Sequence, residues 1–466
     1  MLIYNTLTGK KEVLRKTRKA IKLFVCGPTV YDDPHLGHAR TYIFFDIVAR
    51  YLVSRGYKVR YLQNITDIDD RIILRAREGG IKPQDCAKKF EKKYLNVMQK
   101  LGVASVSVYA RATDHIPQII SQIKILIQKG HAYEIENDGI YFDVKSFRDY
   151  GKLSRRTAEQ AEDATSRIDD SIKKRNRGDF TLWKFRKAKD EPSWKSPWGD
   201  GRPGWHIEDT AITEKYFGPQ YDLHGGGLDL KFPHHEAEIA QAESAFGKIP
   251  FVKIWMHTGF LLVNGKKMSK SLGNFITIED FLKKYSPETL RFLTLTHHYR
   301  SPINYSEELT IQYHGAFQNL LRFLGLLKFV LDNRPRGIAG GIVTGDLVSL
   351  AEKGFHDALQ DDFNTPAAVA HLFNLINNIQ QVTNAIFGLS RKELKLIRGF
   401  IESRLAVLGF AVKLPKIAGK INKLAKKREL FRVNKQFAQS DRLRKKIDEL
   451  GYMVEDTPIG QFVWPK

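Results

Sequence analysis

The pattern of apolar and polar positions near the N-terminus predicts a strand, a helix and a second strand in succession. The apolar stretch Ile21–Gly27 runs into a Gly-Pro loop, apolar residues recur at helical spacing over Arg40–Gly56, and apolar and polar residues alternate over Tyr57–Arg71. Gly56 favours the end of the helix. Such a βαβ unit implies a parallel sheet whose ligands bind at the carboxyl ends of the strands.

The middle of the chain has a different character. Ala112–Gly130 has helical periodicity, and Gly139–Val144 has the pattern of a strand. The segment 155–177 is polar, charged and nearly free of large apolar residues, so we predict a mobile surface segment there. Asp179–His206 is rich in Pro, Gly and Trp, which favours an ordered loop packed by aromatic rings. We predict that residues 113–200 form an insertion between two halves of one α/β domain.

Helical patterns dominate from about Glu288 onward. In Phe355–Val382 the apolar residues have helical spacing, and Asn-Thr-Pro marks the start of a helix. The segment Phe410–Lys466 carries 14 Lys or Arg residues against six Asp or Glu residues, and it includes the dense run KINKLAKKRELFRVNK. We therefore expect the α/β region to be followed by a mostly helical and basic region.

Composition adds a charge and a redox environment to this picture. The 466 residues include 75 Lys or Arg and 52 Asp or Glu, for a formal net charge of +23. That excess favours a polyanionic partner such as nucleic acid or an anionic membrane surface, unless the source organism simply has basic proteins throughout. The only cysteines are Cys26 and Cys86, so we expect a reducing compartment rather than a disulfide framework.

The sequence also leads us to expect a cytoplasmic location. No run of residues approaches the roughly 18 apolar residues that a membrane span needs. The first residues, MLIYNTLTGKKEVLRK, lack the apolar core and the small-residue cleavage site of a secretory signal.

The first candidate for chemistry lies in CGPTVYDDPHLGHART, Cys26–Thr41. His35 and His38 occur where the loop after the first strand enters the helix. A helix N-terminus offers free N–H groups and a partial positive charge, and two histidines there can donate hydrogen bonds to a phosphoryl group. Gly37 lets a flat base approach the backbone closely. Alone the motif is weak, because a histidine at a loop bend is more often structural.

The second candidate is NGKKMSKSLGN, Asn264–Asn274. Lys267 and Lys270 flank a Met-Ser pair, with glycines on either side as hinges. Two ammonium groups on a flexible loop can bind a triphosphate and stabilise a departing pyrophosphate. A solvated basic turn is the commonest form of such a run, but its occurrence together with HLGH favours the phosphate site.

HLGH and KMSKS resemble the two signature motifs of the class I aminoacyl-tRNA synthetases. The finer resemblance, in the family's own order, is to the cysteinyl-tRNA synthetases, and it rests on CGPTVYDDPHLGHART, NITDIDDRI, GWHIE, HGGGLDLKFPHHEAEIAQ, KMSKSLGNF, DALQDDFNTP and DRLRKKIDELGYMVEDTP. It covers essentially the whole chain. It implies an α/β fold in which a class I Rossmann-type nucleotide-binding catalytic domain with an insertion precedes a mostly α-helical region that binds tRNA and its anticodon.

The resemblance also implies a division into six segments. They are the first catalytic half 1–112, the connective insertion 113–200, the second catalytic half with the KMSKS loop 201–287, a helical stem-contact region 288–345, a helical-bundle anticodon-binding domain 346–415 and a small basic anticodon-recognition domain 416–466.

A zinc site follows from the resemblance and from helical spacing. FPHHEAEIAQAESAF predicts a helix on which His234 and Glu238, four residues apart, lie on one face. The family binds zinc through a Cys in the first loop, a Cys just after GWHIE, and this His and Glu. Cys26 matches the first position, but the second is occupied by Asp209. A carboxylate oxygen also binds Zn²⁺, so we expect one zinc ion per chain, with a water-bridged Asp209 or a weaker, exchangeable metal as alternatives.

In the family, zinc recognises the substrate because the thiolate of cysteine becomes an added ligand. Coordination removes the proton of a thiol far more readily than that of a hydroxyl, so serine is rejected. The resemblance further implies that Thr66, Trp205 and His206 face the cysteine. The residues implied to contact ATP are Gly37, Gly225, Gly226, Asp229, Met268 and Lys270. For the pocket and HGGGLD positions, a sharp turn or a packed aromatic ring is the alternative interpretation.

The implied function is a two-step reaction that attaches cysteine to tRNA. L-cysteine and ATP, with Mg²⁺, give cysteinyl-adenylate and pyrophosphate, and the acyl group then passes to the 3′-terminal ribose of tRNA(Cys). His35 and His38 would stabilise the developing charge, and Lys267 and Lys270 the pyrophosphate. We expect a monomer rather than a dimer.

Two alternatives remain open. One is a paralogue that uses the same catalytic half to couple cysteine to an amino sugar, and such proteins lack the anticodon region. The other is a basic RNA-binding protein with a decayed synthetase site. The long basic C-terminal region argues against the first, and the intact HLGH and KMSKS motifs argue against the second.

Overall fold

The computed structural model divides the chain into two compact units. One comprises Met1–Ser306 with Gln360–Asn364, and the other comprises Glu307–Leu359 with Thr365–Lys466. The structure describes residues 1–156, 173–269, 272–333, 344–381 and 385–466. Lys270 and most of the predicted mobile segment, 157–172, lie outside the described residues.

The first unit contains most of the strands of the molecule. Its strands are β1 (Leu2–Asn5), β2 (Lys10–Val13), β3 (Ile21–Val25), β4 (Val59–Ile65), β5 (Val108–Arg111), β6 (Ala132–Ile135), β7 (Gly139–Phe142), β8 (Phe180–Phe185), β9 (Gly201–Pro203), β10 (Tyr221–Gly227), β11 (Val252–Thr258), β12 (Leu261–Val263), β13 (Lys266–Lys267) and β14 (Ile303–Tyr305). Its helices are α1 (Leu36–Ser54), α2 (Asp70–Glu78), α3 (Pro83–Lys100), α4 (Ile116–Gln128), α5 (Trp205–Phe217), α6 (His234–Phe246), α7 (Ile278–Lys284) and α8 (Pro287–Leu295).

A five-stranded parallel sheet forms the centre of this unit. Its strand order is β11-β10-β3-β4-β5, and every neighbouring pair is parallel. The central strands are almost wholly buried, as their apolar runs require in a parallel sheet covered on both faces. The predicted succession of strand, helix and strand is confirmed as β3, α1 and β4. The chain returns to the other side of β3 with β10, so the sheet is built from two halves.

Two histidines begin helix α1. The His35 ring, at the N-cap, accepts a hydrogen bond from the Gly37 N–H, and the His38 ring accepts one from the His35 N–H. These two bonds satisfy N–H groups that would otherwise lack an acceptor at the helix start. The helix therefore starts four residues before the predicted Arg40, and it ends where Gly56 takes a φ of 75°.

The stretch between the two halves of the sheet forms a layer of its own. Strands β6, β7, β8 and β9 pair in that order as an antiparallel sheet. Helix α4 buries Ile119, Ile123 and Leu126 in the same apolar cluster as Phe142 and Trp183 of this sheet. The helical prediction for Ala112–Gly130 is confirmed, with a short 3₁₀ helix at Ala112–His115 preceding α4.

The second unit is mainly helical, as predicted. Its elements are α9 (Glu307–Asn333), α10 (Thr344–Gln360), α11 (Thr365–Gln381), α12 (Ala385–Gly388), α13 (Arg391–Val407), α14 (Gly419–Val433), α15 (Phe437–Glu449), β15 (Tyr452–Thr457) and β16 (Gly460–Pro465). Helix α11 starts at the predicted Asn-Thr-Pro signal. In the antiparallel hairpin of β15 and β16, Trp464 packs so closely on α9 that a side chain at Gly325 would fall 2.1 Å from its ring. Among the described residues, no helix is both long and apolar enough to cross a membrane.

Candidate active site

The candidate residues collect at the carboxyl edge of the parallel sheet. Cys26 follows β3, Thr66 follows β4, and Gly225 and Gly226 lie near the C-terminal end of β10. Because parallel strands point the same way, their ends form one edge, where side chains from distant parts of the sequence meet. Helix α1 starts at the same edge, since the loop from Cys26 leads directly into it.

His35 and His38 present their Nε2–H groups as neutral donors. The Nδ1 of His35 lies 3.1 Å from the Gly37 nitrogen and that of His38 lies 3.3 Å from the His35 nitrogen. A backbone N–H only donates, so each Nδ1 is the acceptor and each proton sits on Nε2. Burial lowers the pKa of His35 to about 4 and that of His38 well below its usual value. The two stacked rings, 3.9 Å apart, are therefore uncharged at neutral pH.

The segment after KMSKS is fastened to the HLGH loop by backbone pairing. The Leu36 N–H donates to the Ile276 carbonyl at 3.2 Å, and the Ile278 N–H donates to the Pro34 carbonyl at 2.9 Å. Met268 joins this contact, because its sulfur accepts a hydrogen bond from the Ile276 N–H at 3.5 Å. The two signature motifs therefore meet in one place, as a common phosphate site requires.

Of the two KMSKS lysines, Lys267 lies in the described part of the chain. Lys267 is exposed on β13, with its ammonium 5.6 Å from the centre of the Phe260 ring. Lys270 lies outside the described residues.

A side chain at Gly37 would fall 2.9 Å from the His35 ring and 3.9 Å from the end of Met268, so glycine keeps the junction of the HLGH and KMSKS segments open.

The glycines of HGGGLD are explained by packing. A side chain at Gly225 would fall 2.3 Å from the Phe45 ring, and one at Gly226 would fall 2.6 Å from the His235 ring. Asp229 is exposed in the short 3₁₀ helix Leu228–Lys231. The packing alternative therefore accounts for both glycines, while contact of these residues with ATP stays a prediction.

The four predicted metal ligands converge on one ring nitrogen. The Nε2 atom of His234 lies 3.5 Å from the Cys26 sulfur, 3.1 Å from Oδ2 of Asp209 and 3.2 Å from Oε1 of Glu238. Ligands about 2.1 Å from a shared ion lie about 3.4 Å apart in a tetrahedron, which matches these three separations from His234. Among the described residues, Asp209, His234 and Glu238 form one set of ligand atoms within 4.8 Å of each other, and Cys26 forms another with His234 and His235. Sulfur, imidazole nitrogen and carboxylate oxygen are the three ligand types that Zn²⁺ takes in proteins.

The electrostatics of this cluster call for a cation. All four side chains are at most 4% exposed. Burial, and then the charges of Asp209 and Glu238, raise the pKa of the Cys26 thiol, and burial followed by Asp209 raises that of Glu238. Within the described part of the chain, neither Glu238 oxygen is hydrogen-bonded. Buried acids without partners are costly, and a divalent cation at their centre would relieve that cost.

Two of the predicted pocket residues contact His234, one of the predicted metal ligands. The Trp205 ring stacks on the His234 ring with centroids 4.2 Å apart, and the Nδ1 atoms of His206 and His234 lie 2.8 Å apart. Trp205 and His206 also line a cavity of about 140 Å³. Thr66 is buried, and its hydroxyl donates to Glu208 at 3.0 Å.

Several residues of the site had no assigned role in the sequence. Asn64 and Glu208 adjoin predicted residues, but nothing in their spacing indicates a contact with Asp209 or Thr66. A further group of buried imidazoles, His224, His235 and His257, lies behind Glu238, with His235 and His257 nitrogens 2.8 Å apart. His235 adjoins the predicted ligand His234 in FPHHE, and its position fits packing or support of the ligands, whereas His257 lies in none of the motifs.

Comparison with known families assigns most of the chain. The class I tRNA synthetase (C) catalytic domain matches residues 12–314, and the DALR domain matches residues 354–413. The chain is 44% identical to a cysteine–tRNA ligase of Thermococcus gammatolerans over 474 aligned positions, which cover 100% of the chain and 98% of the relative. It is 46% identical to a cysteine–tRNA ligase of Thermoplasma volcanium, with 98% of each chain covered.

The fold is also similar to a solved class I structure. Mycobacterium tuberculosis methionyl-tRNA synthetase, in a crystal structure with methionyl-adenylate bound, superposes with a TM-score of 0.63 at 15% sequence identity. The superposition covers 84% of this chain and 92% of that one. At this identity the likeness concerns the fold, and it agrees with the Rossmann-type sheet predicted from the sequence.

Proposed function

The chain belongs to the cysteine–tRNA ligases of the class I tRNA synthetases, which makes it an aminoacyl-tRNA ligase, and we propose how its residues divide that reaction. The observation that carries the proposal is the single sheet edge at which two sites meet. One is a pair of neutral imidazole donors beside the KMSKS segment, and the other is a buried Cys, Asp, His and Glu cluster.

The imidazole pair acts on ATP. With MgATP bound, a carboxylate oxygen of L-cysteine attacks the α-phosphorus, and the bond to pyrophosphate breaks. The Nε2–H groups of His35 and His38 donate to phosphate oxygens as negative charge builds on them. Lys267 and Lys270 stabilise the departing pyrophosphate. Since both imidazoles are already neutral donors, no proton needs to move for them to act.

The buried cluster would hold one zinc ion through Cys26, Asp209, His234 and Glu238. When bound, zinc attracts a thiolate far more strongly than a hydroxyl, and this distinguishes cysteine from serine. Nδ1 of His234 lies 2.8 Å from Nδ1 of His206, and this contact orients the ring with Nε2 toward Cys26, Asp209 and Glu238. With Nε2 as a ligand, the Nδ1–H of His234 would donate to His206. Burial lowers the pKa of His206 well below its usual value, so that ring is a neutral acceptor.

The substrate cysteine binds beside this cluster, next to Trp205 and His206, whose rings contact His234. The half-buried Trp205 ring forms one wall by stacking on His234, and His206 forms another. The buried hydroxyl of Thr66 contributes to the same environment through its bond to Glu208. Together these groups exclude water from the thiol of the substrate. The carboxylate of the substrate extends toward the phosphate site.

The second step uses tRNA(Cys) as the acceptor. The 2′-hydroxyl of its terminal ribose attacks the acyl carbon of cysteinyl-adenylate, and AMP leaves. Each attacking group comes from a substrate, so no covalent intermediate with the protein is required. The basic helical region follows the tRNA phosphates, and residues 416–466 recognise the GCA anticodon, since exposed loop bases are what proteins recognise in RNA.

Cysteine-dependent ATP–pyrophosphate exchange, run beside tRNA(Cys) charging, tests this function. We expect both activities in one preparation. Exchange without charging would instead favour the ligase that acts on an amino sugar. Loss of both in a protein that still binds RNA would favour the RNA-binding alternative.

A further inference from the structure

Asp209 adds two potential ligand atoms to the group of predicted metal ligands. A carboxylate can bind a metal through one oxygen or through both, whereas a cysteine at that position would offer a single sulfur. If both oxygens bound, one more coordination position would be occupied. The group that binds the second oxygen of Asp209 therefore affects how many coordination positions of the ion stay free for a substrate.

The structure separates the two oxygens of this carboxylate. Oδ2 faces the cluster, 3.1 Å from Nε2 of His234. Oδ1 accepts a hydrogen bond from Nδ2 of Asn64 at 2.5 Å. Both residues are at most 1% exposed, so water does not compete for this bond.

The Nδ2 group of Asn64 also donates to the Thr66 hydroxyl at 3.3 Å, and the backbone of Gly27 fixes the orientation of the Asn64 amide. Its oxygen lies 2.5 Å from the backbone nitrogen of Gly27. A backbone N–H only donates, so the amide oxygen must face Gly27 and the amide N–H₂ must face Asp209. The reverse orientation would set an N–H₂ group against an N–H and a carbonyl oxygen against a carboxylate.

Asn64 is also held firmly by the backbone around it. It lies in β4, one residue beyond the last pair with β3, where the strand passes the Cys26 loop. That approach is so close that a side chain at Gly27 would fall 1.8 Å from the Asn64 carbonyl oxygen. One amide group thus connects the loop that carries Cys26 to the helix that carries Asp209.

We infer that Asn64 is a positioning residue that restricts Asp209 to one-oxygen metal binding. It does so by holding Oδ1 in a hydrogen bond and leaving Oδ2 to the ion. The inference rests on the zinc site of the proposed function. It assigns to Asn64 a role that depends on the carboxylate, because a cysteine at position 209 has no second atom to restrain.

Cobalt(II) substituted for zinc in the full-length protein tests this role. Its visible absorption is strong in four-coordinate sites and weaker when further ligands bind. Four proteins are compared: the native chain, Asn64→Leu, Asp209→Cys, and the double variant. Leucine is close to asparagine in size and excludes water, so it releases Oδ1 without opening a cavity.

We expect Asn64→Leu to lower the molar absorption of cobalt in the native background and to leave it unchanged in the Asp209→Cys background. Equal spectra for the native chain and Asn64→Leu, or equal losses in both backgrounds, would overturn the inference. A native chain that binds no cobalt or zinc would overturn the zinc site itself, together with this inference.

A crystal structure of the native zinc-bound protein provides a test that needs no variant. We expect one Asp209 oxygen within about 2.2 Å of the ion and the other still bonded to Asn64. Both oxygens on the ion would contradict the inference while leaving the zinc site intact.

Discussion

At the scale of single residues, the proposed phosphate site has neutral histidines, which distinguishes it from a site built only on fixed positive charge. Two backbone N–H groups hold both Nδ1 atoms as acceptors, and burial keeps the rings unprotonated. In the proposed reaction, His35 and His38 therefore supply oriented, neutral Nε2–H donors to the phosphate oxygens, and the lysines of KMSKS supply the positive charge.

This assignment predicts the pH dependence of cysteine activation. With a pKa of about 4, His35 is about 1% protonated at pH 6. We expect the kcat of ATP–pyrophosphate exchange, at saturating cysteine and MgATP, not to rise as pH falls from about 8 to about 6. His35→Ala should lower kcat by about a hundredfold or more at both pH values.

The matched control for this experiment is His131→Ala. His131 lies in the antiparallel layer, where its ring bonds Ser146, and it should leave kcat unchanged. A rate that climbs through pH 6.5 as the solution is acidified, and loses that climb in His35→Ala, would show that the cationic ring is the active form.

At the scale of secondary structure, the close crossing of the Cys26 loop over β4 determines how the predicted metal ligands are arranged. Only glycine fits at position 27, because the Asn64 carbonyl oxygen occupies the place of a side chain. The contact keeps Cys26, Asn64 and Asp209 within reach of each other. Its stability therefore matters to the cluster as much as the ligands themselves.

Gly27→Ala should accordingly damage both stability and metal retention. The added methyl forces β4 and the loop apart, at a cost of about 3 kcal/mol or more. Thermal unfolding and zinc content after dialysis measure the two effects. Gly315→Ala is the control: it lies inside α9 with nothing within 4 Å of the added carbon, so we expect no loss of stability. Unchanged zinc retention in Gly27→Ala would contradict this role of the crossing.

Several local elements were predicted, but the loop prediction for Asp179–His206 was wrong, because strands β8 and β9 and the start of α5 lie there. Contacts between distant segments were not predicted. Local patterns were sufficient for β3, α1 and β4, and helical spacing correctly set His234 and Glu238 on one face of α6. The Asn64–Asp209 bond joins residues 145 apart, and the His206–His234 contact joins residues 28 apart. Such contacts depend on how strands and helices pack, which neither periodicity nor spacing records.

The convergence of Cys26 and Asp209 with His234 and Glu238 was expected only through the family resemblance. Nothing in the residues around Asp209 indicates a ligand, because it lies within a buried helix beside another acid, Glu208. The structure supplies the missing information as distances and burial. It also explains Gly225 and Gly226 by packing, where the sequence left packing and ATP contact as alternatives.

At the scale of the whole molecule, the net charge of +23 matches a polyanionic substrate. The segment Phe410–Lys466 contributes +8 of this charge, with 14 Lys or Arg against six Asp or Glu, and exposed lysines there line a groove at the start of α14. Contacts to phosphate release condensed counterions, so binding becomes weaker as salt is added. Recognition of a small neutral substrate has no such dependence.

Binding of tRNA(Cys) should therefore fall steeply with ionic strength. We expect an affinity loss of about tenfold or more between roughly 50 and 200 mM KCl. Fluorescence anisotropy with labelled tRNA measures it, and the KM for cysteine, followed over the same range, is the control. A tRNA affinity that is constant over this range would contradict a phosphate-tracking surface.

The proposed selection of cysteine depends on a zinc site with a single protein thiolate. The direct measurement is zinc content by mass spectrometry together with cysteine- and serine-dependent ATP–pyrophosphate exchange on the same sample, with Cys26→Ser compared to Cys86→Ser. We predict about one zinc per chain and exchange with cysteine alone, both lost in Cys26→Ser and both retained in Cys86→Ser, whose thiol is buried in α3. Full, cysteine-specific exchange by a protein that holds no zinc would contradict it.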